Sequence, residues 1–178
     1  MKSKVYFYNM RAGRRSESIS QKVSKLFDKA GFKDIIEPDK LTAIKIHFGE
    51  RGNNAFINPI YVRHVVDKIK QQGGKPFLTD SNTLYKGSRS NGVDHLVTAI
   101  ENGFAYAVVN APLVISDGIY SKDSMDVHIG KKHFKDVKIS SAIYYADSMM
   151  VMSHFKGHET AGFGGAIKNM AMGCAPAA

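Results

Sequence analysis

The sequence is poor in cysteine, because Cys174 is the single cysteine among 178 residues. A disulfide framework needs paired cysteines, and zinc ribbons and iron–sulfur clusters need about four ligands, most of them cysteine. The chain by itself is therefore not expected to form any of these. We expect a reducing, cytoplasmic setting in which Cys174 behaves as a small apolar residue.

Long hydrophobic runs and a cleavable signal pattern are also missing. A membrane-spanning helix needs about 18 consecutive apolar residues, which no run approaches, and the start Met1-Lys2-Ser3-Lys4 lacks the features of a signal peptide. With 43% hydrophobic and 23% charged residues, the composition is that of an ordinary globular protein. The length favours one domain over residues 1–178, with no membrane partner.

Positive charge is abundant but unevenly distributed. Residues 1–89 hold 18 Lys and Arg against 8 Asp and Glu, whereas residues 90–178 hold 7 against 8. A basic half attracts anions such as nucleic acid, nucleotides, phosphorylated metabolites or an acidic protein, although a solvated basic surface is the simplest interpretation. Arginine-rich runs and aromatic-interleaved RNA motifs are missing, so nucleic acid is the minor hypothesis.

Strand and helix patterns alternate along the chain. The β-forming run at 5–8 predicts a first strand, and Ser16 and Gly31 predict the ends of the helix that follows. Further strands are predicted at 43–48, 77–79, 113–115 and 149–152, and helices after Asn58-Pro59 and around 93–100. This alternation predicts an α/β fold with a mostly parallel or mixed sheet covered by helices. Alternation at 125–129 and 137–139 predicts a small antiparallel insertion near residues 119–139.

Polar side chains follow several of the predicted strands. His47 and Glu50 follow the second strand, and Asp80 and Asn82 follow the third. Ligands of open α/β sheets bind at the carboxyl ends of the strands, so these residues are candidates for binding a cofactor or an anionic small molecule. The alternative is that each residue caps a helix or fixes a turn, as Asp and Asn often do. Four other histidines are placed on helix or hairpin surfaces: His64, His95, His128 and His133.

The segment 153–169 concentrates reactive and flexible residues. It contains two histidines, one glutamate, two lysines and four glycines. Glycines let backbone N–H groups approach an anion, and lysine adds a point charge. The standard nucleotide fingerprints are not met, because Ile167 replaces the last glycine of G-x-G-x-x-G and Phe163 follows Gly162. The predicted catalytic candidates are His154, His158, Glu159 and Lys168, and the predicted cofactor-binding candidates are Lys156, Gly162, Gly164 and Gly165.

Two alternatives remain open for this segment. His154 and His158 could hold a divalent metal together with a carboxylate, or they could be hydrogen-bonded loop histidines. Gly157 between them disfavours a helix, and the zinc-protease pattern H-E-x-x-H is missing. The glycines could also serve only to permit close packing against the strand at 149–152.

Three separate motifs carry a family resemblance. The sequences at 44–50 (IKIHFGE), 76–85 (PFLTDSNTLY) and 154–173 resemble a prokaryotic family called domain of unknown function 362. Members of this family are often described as iron–sulfur centre proteins, in which a ferredoxin-like module with 4Fe-4S clusters follows the α/β domain. The chain ends at Ala178, shortly after Cys174, so it resembles the first domain without that module.

The resemblance implies 4Fe-4S clusters for full-length relatives only. It suggests an intracellular domain of an iron–sulfur-linked redox enzyme or electron-transfer protein that binds an anionic small molecule or cofactor. The C-terminal segment is then expected to contact a ferredoxin-like module or to self-associate. The alternative is a non-catalytic binding module whose basic N-terminal half recognises an acidic partner or nucleic acid.

Overall fold

The computed structural model describes residues 2–14 and 17–177. The strands are β1 (Leu41–Ile46), β2 (Lys75–Asp80), β3 (Leu113–Ile115), β4 (Ser124–His128), β5 (Asp136–Ser140), β6 (Ser148–Met152), β7 (Lys156–His158) and β8 (Gly162–Gly164). The α-helices are α1 (Ile19–Lys29), α2 (Pro59–Gln71), α3 (Gly92–Ala99), α4 (Tyr106–Val109), α5 (Ser141–Tyr144) and α6 (Ala166–Ala171). A 3₁₀ turn spans Phe32–Ile35, and a π-helical turn spans Ile100–Phe104. None of the helices in this described part of the chain is both long and apolar enough to cross a membrane.

The main sheet has four parallel strands in the order β3-β2-β1-β6. Ile44 in β1 pairs with Leu78 in β2 and with Met150 in β6. The chain adds strands on one side of β1 first and then crosses to place β6 on the other side. The strand order therefore reverses between β1 and β6, which is the place where open α/β sheets bind ligands. The predicted α/β class with a parallel sheet is confirmed.

The two faces of the sheet differ in character because successive side chains of a strand point to opposite sides. Ile44 and Ile46 belong to the hydrophobic core, together with apolar side chains of α1 and α2. Lys45 and Thr79 lie on the other face and are fully buried. Helix α6 packs near this second face, where Lys45 Nζ donates a hydrogen bond to Asn169 Oδ1.

The predicted antiparallel insertion near residues 119–139 is also confirmed. Strands β4 and β5 form a two-stranded hairpin in which Val127 pairs with Val137. A second, shorter hairpin joins β7 to β8 within the glycine-rich segment, with Lys156 opposite Gly164.

The strand predicted at 5–8 is wrong. These residues have no strand partner within the described chain, and the side chains of Val5 and Phe7 are exposed. High β-propensity forms a strand only where a neighbouring strand and a packing surface are available. The predicted cap Ser16 lies outside the described residues, and the side chain of Ser18 caps α1 instead. Gly31 follows that helix with φ +74°, the left-handed geometry expected at a helix end.

The predicted placement of His95 on the surface of α3 is wrong as well. Val93 and Val97 are exposed, whereas His95 and Thr98 are fully buried. Gly92 explains this orientation, because a β-carbon there would lie 2.7 Å from the carbonyl oxygen of Gly118. The close backbone approach at Gly92 brings the polar side of α3 towards the carboxyl ends of the strands.

Candidate functional site

A cleft of about 300 Å³ opens beyond the carboxyl ends of β1, β2 and β6. Its walls come from the loops after these strands, the β7–β8 hairpin, α6 and residues 172–177. We call residues 172–177 the strap. The lining residues are His47, Glu50, Asp80, Ser81, Asn82, Thr83, Leu84, Tyr85, Arg89, Ser153, His154, Lys156, His158, Gly164, Gly165, Lys168, Asn169, Met172, Gly173, Ala175, Pro176 and Ala177.

The cleft brings together most of the side chains predicted as site residues. His47, Glu50, Asp80, Asn82, His154, Lys156, His158, Gly164, Gly165 and Lys168 all line it. Glu159 and Gly162 do not, because both are exposed around the turn of the β7–β8 hairpin. Gly162 has φ +74° there, so its glycine serves the turn geometry.

Asp80 is the charged centre of the cleft floor and is only 4% exposed. Its Oδ1 accepts hydrogen bonds from Lys45 Nζ at 2.8 Å and from the Ser81 N–H at 3.0 Å. Its Oδ2 accepts a longer bond from Arg89 Nη1 at 3.3 Å. Burial alone would raise the pKa of Asp80, but the charge of Lys45 and the other nearby cations lower it overall. Asp80 is therefore a permanent carboxylate that positions cations.

Arg89 connects Asp80 to a second acidic group. Its Nη2 donates to Glu50 Oε1 and to the Tyr85 hydroxyl, and that hydroxyl donates to Glu50 Oε1 at 2.7 Å. Burial would raise the pKa of Glu50, but the hydrogen bond and charge of Arg89 lower it. Burial raises the pKa of Tyr85 to about 12. Glu50 is therefore ionised and Tyr85 neutral, and four of the five N–H groups of Arg89 donate to Glu50, Tyr85 and Asp80.

Lys156 and Lys168 bring positive charge that has no acidic partner. Among residues 2–14 and 17–177, no carboxylate lies within ion-pair distance of either ammonium group. Lys156 pairs across the hairpin with Gly164, and a β-carbon added at Gly164 would lie 3.4 Å from Lys168 Cδ. The two lysine side chains therefore occupy neighbouring positions. Burial and then the charge of Arg89 lower the pKa of Lys156, Glu50 opposes this shift, and Lys168 adds a smaller lowering.

Backbone N–H groups fix the accepting ring nitrogen of two cleft histidines. His47 Nδ1 accepts the N–H of Gly49 at 3.2 Å, and His158 Nδ1 accepts the N–H groups of Thr160 and Ala161 at 3.2 and 3.1 Å. A backbone N–H can only donate, so the proton of each neutral ring resides on Nε2. Burial, and then the charge of Arg89, lower the pKa of His47 to about 3. His47 is therefore a neutral hydrogen-bond donor at physiological pH.

His95 is a correction to the sequence analysis, which placed it on a helix surface. Its ring is fully buried against the site. Asn82 Nδ2 donates to the Gly118 carbonyl at 2.8 Å, which fixes the orientation of the Asn82 amide. Its Oδ1 therefore faces His95 and accepts a hydrogen bond from Nδ1–H at 3.2 Å. Nε2 lies 3.8 Å from Asp80 Oδ2 and has no hydrogen-bond partner among the described residues.

Sequence reasoning missed Lys45, Arg89 and His95. Lys45 could have been found, because a lysine inside the apolar run at 43–48 requires a buried acidic partner. Arg89 and His95 offered no such pattern. Arg89 reaches the site from the loop after β2, and His95 reaches it because the polar side of α3 faces inward.

Within residues 2–14 and 17–177, no three side chains of His, Cys, Asp or Glu are grouped so as to hold a metal ion. Metal binding by His154 and His158 stays a hypothesis. An iron–sulfur cluster does not fit this chain, because its single cysteine, Cys174, is 7% exposed and burial raises the pKa of its thiol.

A family model described as "Domain of unknown function (DUF362)" matches residues 42–178. The chain belongs to the DUF362 family. The matched range runs from β1 to the strap, so the cleft lies within the DUF362 domain. The resemblance seen in the sequence is thereby confirmed, whereas the iron–sulfur association of DUF362 proteins is not tested by this match. No curated protein and no solved structure matches the chain significantly.

Proposed function

We propose that this DUF362 domain binds a small anionic molecule or cofactor in the cleft at the carboxyl ends of its parallel strands. The observation that carries this proposal is the pair Lys156 and Lys168, two lysines of the cleft lining that have no carboxylate within ion-pair distance among the described residues. The position of the cleft, where the strand order reverses beside β1, supports the same function.

The charges of the cleft are not balanced within the protein. The two acidic groups, Asp80 and Glu50, are already paired with Lys45 and Arg89. Lys156 and Lys168 therefore provide two surplus positive charges. Like charges held close together in a partly buried site raise the free energy of the unliganded protein, and a bound anion would lower it.

Further donors of the cleft suit the same ligand. The Nε2–H groups of His47 and His158 remain available after their Nδ1 atoms have accepted backbone N–H groups. Neutral N–H donors can bind anion oxygens without an additional charged group. Participation in iron–sulfur redox chemistry stays a prediction that rests on the family resemblance alone.

Anion binding can be tested by calorimetric titration of the chain with phosphate, sulfate and citrate. We expect saturable binding of at least one of these anions, weakened about tenfold or more by Lys168→Met. Lys132→Met, an exposed lysine of the β4–β5 hairpin, is the matched control and should leave the affinity unchanged.

Besides the absence of any saturable anion binding, two results would contradict the proposal. One is equal anion affinity in the wild type, Lys168→Met and Lys132→Met. The other is binding only to a DNA duplex, with a steep salt dependence that Lys168→Met does not alter. The second result would favour the alternative function, recognition of a polyanion by the basic N-terminal half.

A further inference from the structure

We infer that the ligand is a small phosphomonoester with an apolar body. This inference rests on the proposed anion-binding function and specifies the chemical class of the ligand. It follows from the number of surplus charges, from their placement and from the apolar residues that complete the cleft.

The first step is the number and placement of the charges. Lys156 lies directly opposite Gly164 in the hairpin, and a β-carbon at the same glycine would lie 3.4 Å from Lys168 Cδ. Both lysine side chains therefore lie beside the same glycine and line the same cleft. A phosphomonoester concentrates about −1.5 to −2 charges on a single tetrahedral group at pH 7. A monocarboxylate would neutralise only one lysine, and a dicarboxylate would spread its charges over two groups.

The second step is the hydrogen-bonding capacity. Lysine is a common phosphate ligand because it acts as a point charge with three donors. Arg89 is unsuited to bidentate recognition of the ligand, since Glu50, Tyr85 and Asp80 already accept its hydrogen bonds. The two lysines and the Nε2–H groups of His47 and His158 can serve several phosphate oxygens at once.

The third step is the apolar part of the lining. Leu84, Met172, Ala175 and Pro176 line the same cleft as the lysines. Leu84 is 83% exposed and Met172 is 65% exposed, so both present apolar surface at the cleft. A ligand that carried only a phosphate would leave this surface in water, whereas an apolar body would cover it.

The size of the cleft limits the body. A volume of about 300 Å³ is at the lower end of the range for small-molecule sites. The cleft therefore suits an aryl or short alkyl phosphate, and a dinucleotide would exceed it.

The class can be tested with four probes by calorimetric titration of the full chain: phenyl phosphate, inorganic phosphate, benzoate and phthalate. Phenyl phosphate should bind about tenfold more tightly than inorganic phosphate, which lacks the ring, and than benzoate, which carries one charge. It should also bind more tightly than phthalate, which has the same ring but divides its two charges between two carboxylates.

Variants separate the two parts of the site. Lys156→Met and Lys168→Met should each weaken phenyl phosphate binding about tenfold or more. Leu84→Ser should weaken phenyl phosphate binding a few-fold and leave inorganic phosphate binding unchanged. Ile60→Ser, which changes an exposed apolar residue on α2, is the matched control and should change neither affinity.

The outcomes distinguish this inference from the proposed function. If benzoate or phthalate binds as tightly as phenyl phosphate and depends on Lys168, the phosphomonoester class is wrong and anion binding stands. If phenyl phosphate binds equally to the wild type and to both lysine variants, this inference is wrong. If none of the anions binds, both proposals are wrong.

Discussion

Lys45 and Asp80 form a buried ion pair that links two neighbouring parallel strands, with Nζ and Oδ1 2.8 Å apart and the side chains 0% and 5% exposed. Lys45 Nζ also donates to Asn169 Oδ1 at 2.6 Å, so one ammonium group connects β1, β2 and α6. A buried charge without a partner is strongly destabilising. The pair therefore fixes the position of Asp80, which in turn holds Arg89 at the cleft.

Removing the charge of Lys45 should therefore destabilise the folded protein. We expect Lys45→Met to lower the free energy of unfolding by about 3 kcal/mol, because the carboxylate of Asp80 loses its shortest partner in a buried position. Urea denaturation followed by circular dichroism measures the change. Lys40→Met is the control, since Lys40 pairs with Asp147 at 3.6 Å on the surface. This substitution should lower the free energy of unfolding by less than about 1 kcal/mol. Equal denaturation midpoints for the two variants would contradict this account.

The strap should be sensitive to the size of residue 173. A β-carbon at Gly173 would collide with Lys45 Nζ and lie 2.5 Å from the carbonyl oxygen of Asn169. The strap is also fixed there, because Ser81 Oγ donates to the Gly173 carbonyl at 3.0 Å. We expect Gly173→Ala to lower the free energy of unfolding by about 1–3 kcal/mol.

The matched control for that substitution is Gly87→Ala. A β-carbon at Gly87 has no atom within 4 Å, so this change should be nearly neutral in the same urea denaturation experiment. If the two alanine variants are equally stable, the close approach of the strap to Lys45 is not a constraint on residue 173.

Much of the fold was predictable because its patterns are local. The apolar run at 43–48 predicts β1, and Asn58-Pro59 predicts the start of α2. The side chain of Asn58 does cap α2. The orientation of α3 was not predictable, because Gly92 approaches the backbone of Gly118, which is distant in the sequence. Periodicity alone favoured the apolar side of α3, and tertiary packing selected the side that carries His95.

The site was predictable where residues follow strands and unpredictable where they pair across the chain. His47 comes directly after β1, and Asp80 is the last residue of β2. Because the two strands are parallel, the topology brings these positions together. Arg89 is held at the site by pairing with Asp80 and with Glu50, which lies 39 residues earlier. No sequence spacing specifies the pairing with Glu50, so the charge pairing of Arg89 and the surplus charge of Lys156 required the structure.

Cys174 should be unreactive in the folded protein. Its side chain is buried, its N–H and C=O are hydrogen-bonded to Met170 and Ser140, and burial raises the pKa of its thiol. We expect alkylation by iodoacetamide to be at least about tenfold slower in buffer than in urea. We also expect anaerobic reconstitution of the monomer to give no stoichiometric iron and sulfide. Fast alkylation of the native protein, or one cluster per monomer, would contradict these expectations.

The buried ring of His95 predicts a loss of stability in mild acid. Burial lowers the pKa of His95 from 6.5 to about 4, and although Asp80 opposes this shift, Arg89 and Lys45 add to it. Between these pH values the unfolded chain binds a proton that the folded protein does not, so the free energy of unfolding must fall as the pH falls. The loss begins near pH 6.5 and reaches up to about 3 kcal/mol near pH 4. His47 adds to it in the same direction, because its pKa is lowered to about 3.

The slope of the free energy of unfolding against pH separates the effect of protonating His95 from the effect of its packing. Urea denaturation at pH 7.5, 6.5, 5.5 and 5.0 should show a decline for the wild type, and His95→Gln should reduce that decline by roughly half because His47 still contributes. Asp80 and Glu50 do not interfere, since the lowered pKa values of these carboxyls confine their effects to a more acidic range. His133→Gln is the control, because His133 is exposed on the β4–β5 hairpin and should leave the slope unchanged. If His95→Gln retains the full slope of the wild type, the His95 ring is not held neutral by its burial beside Asp80.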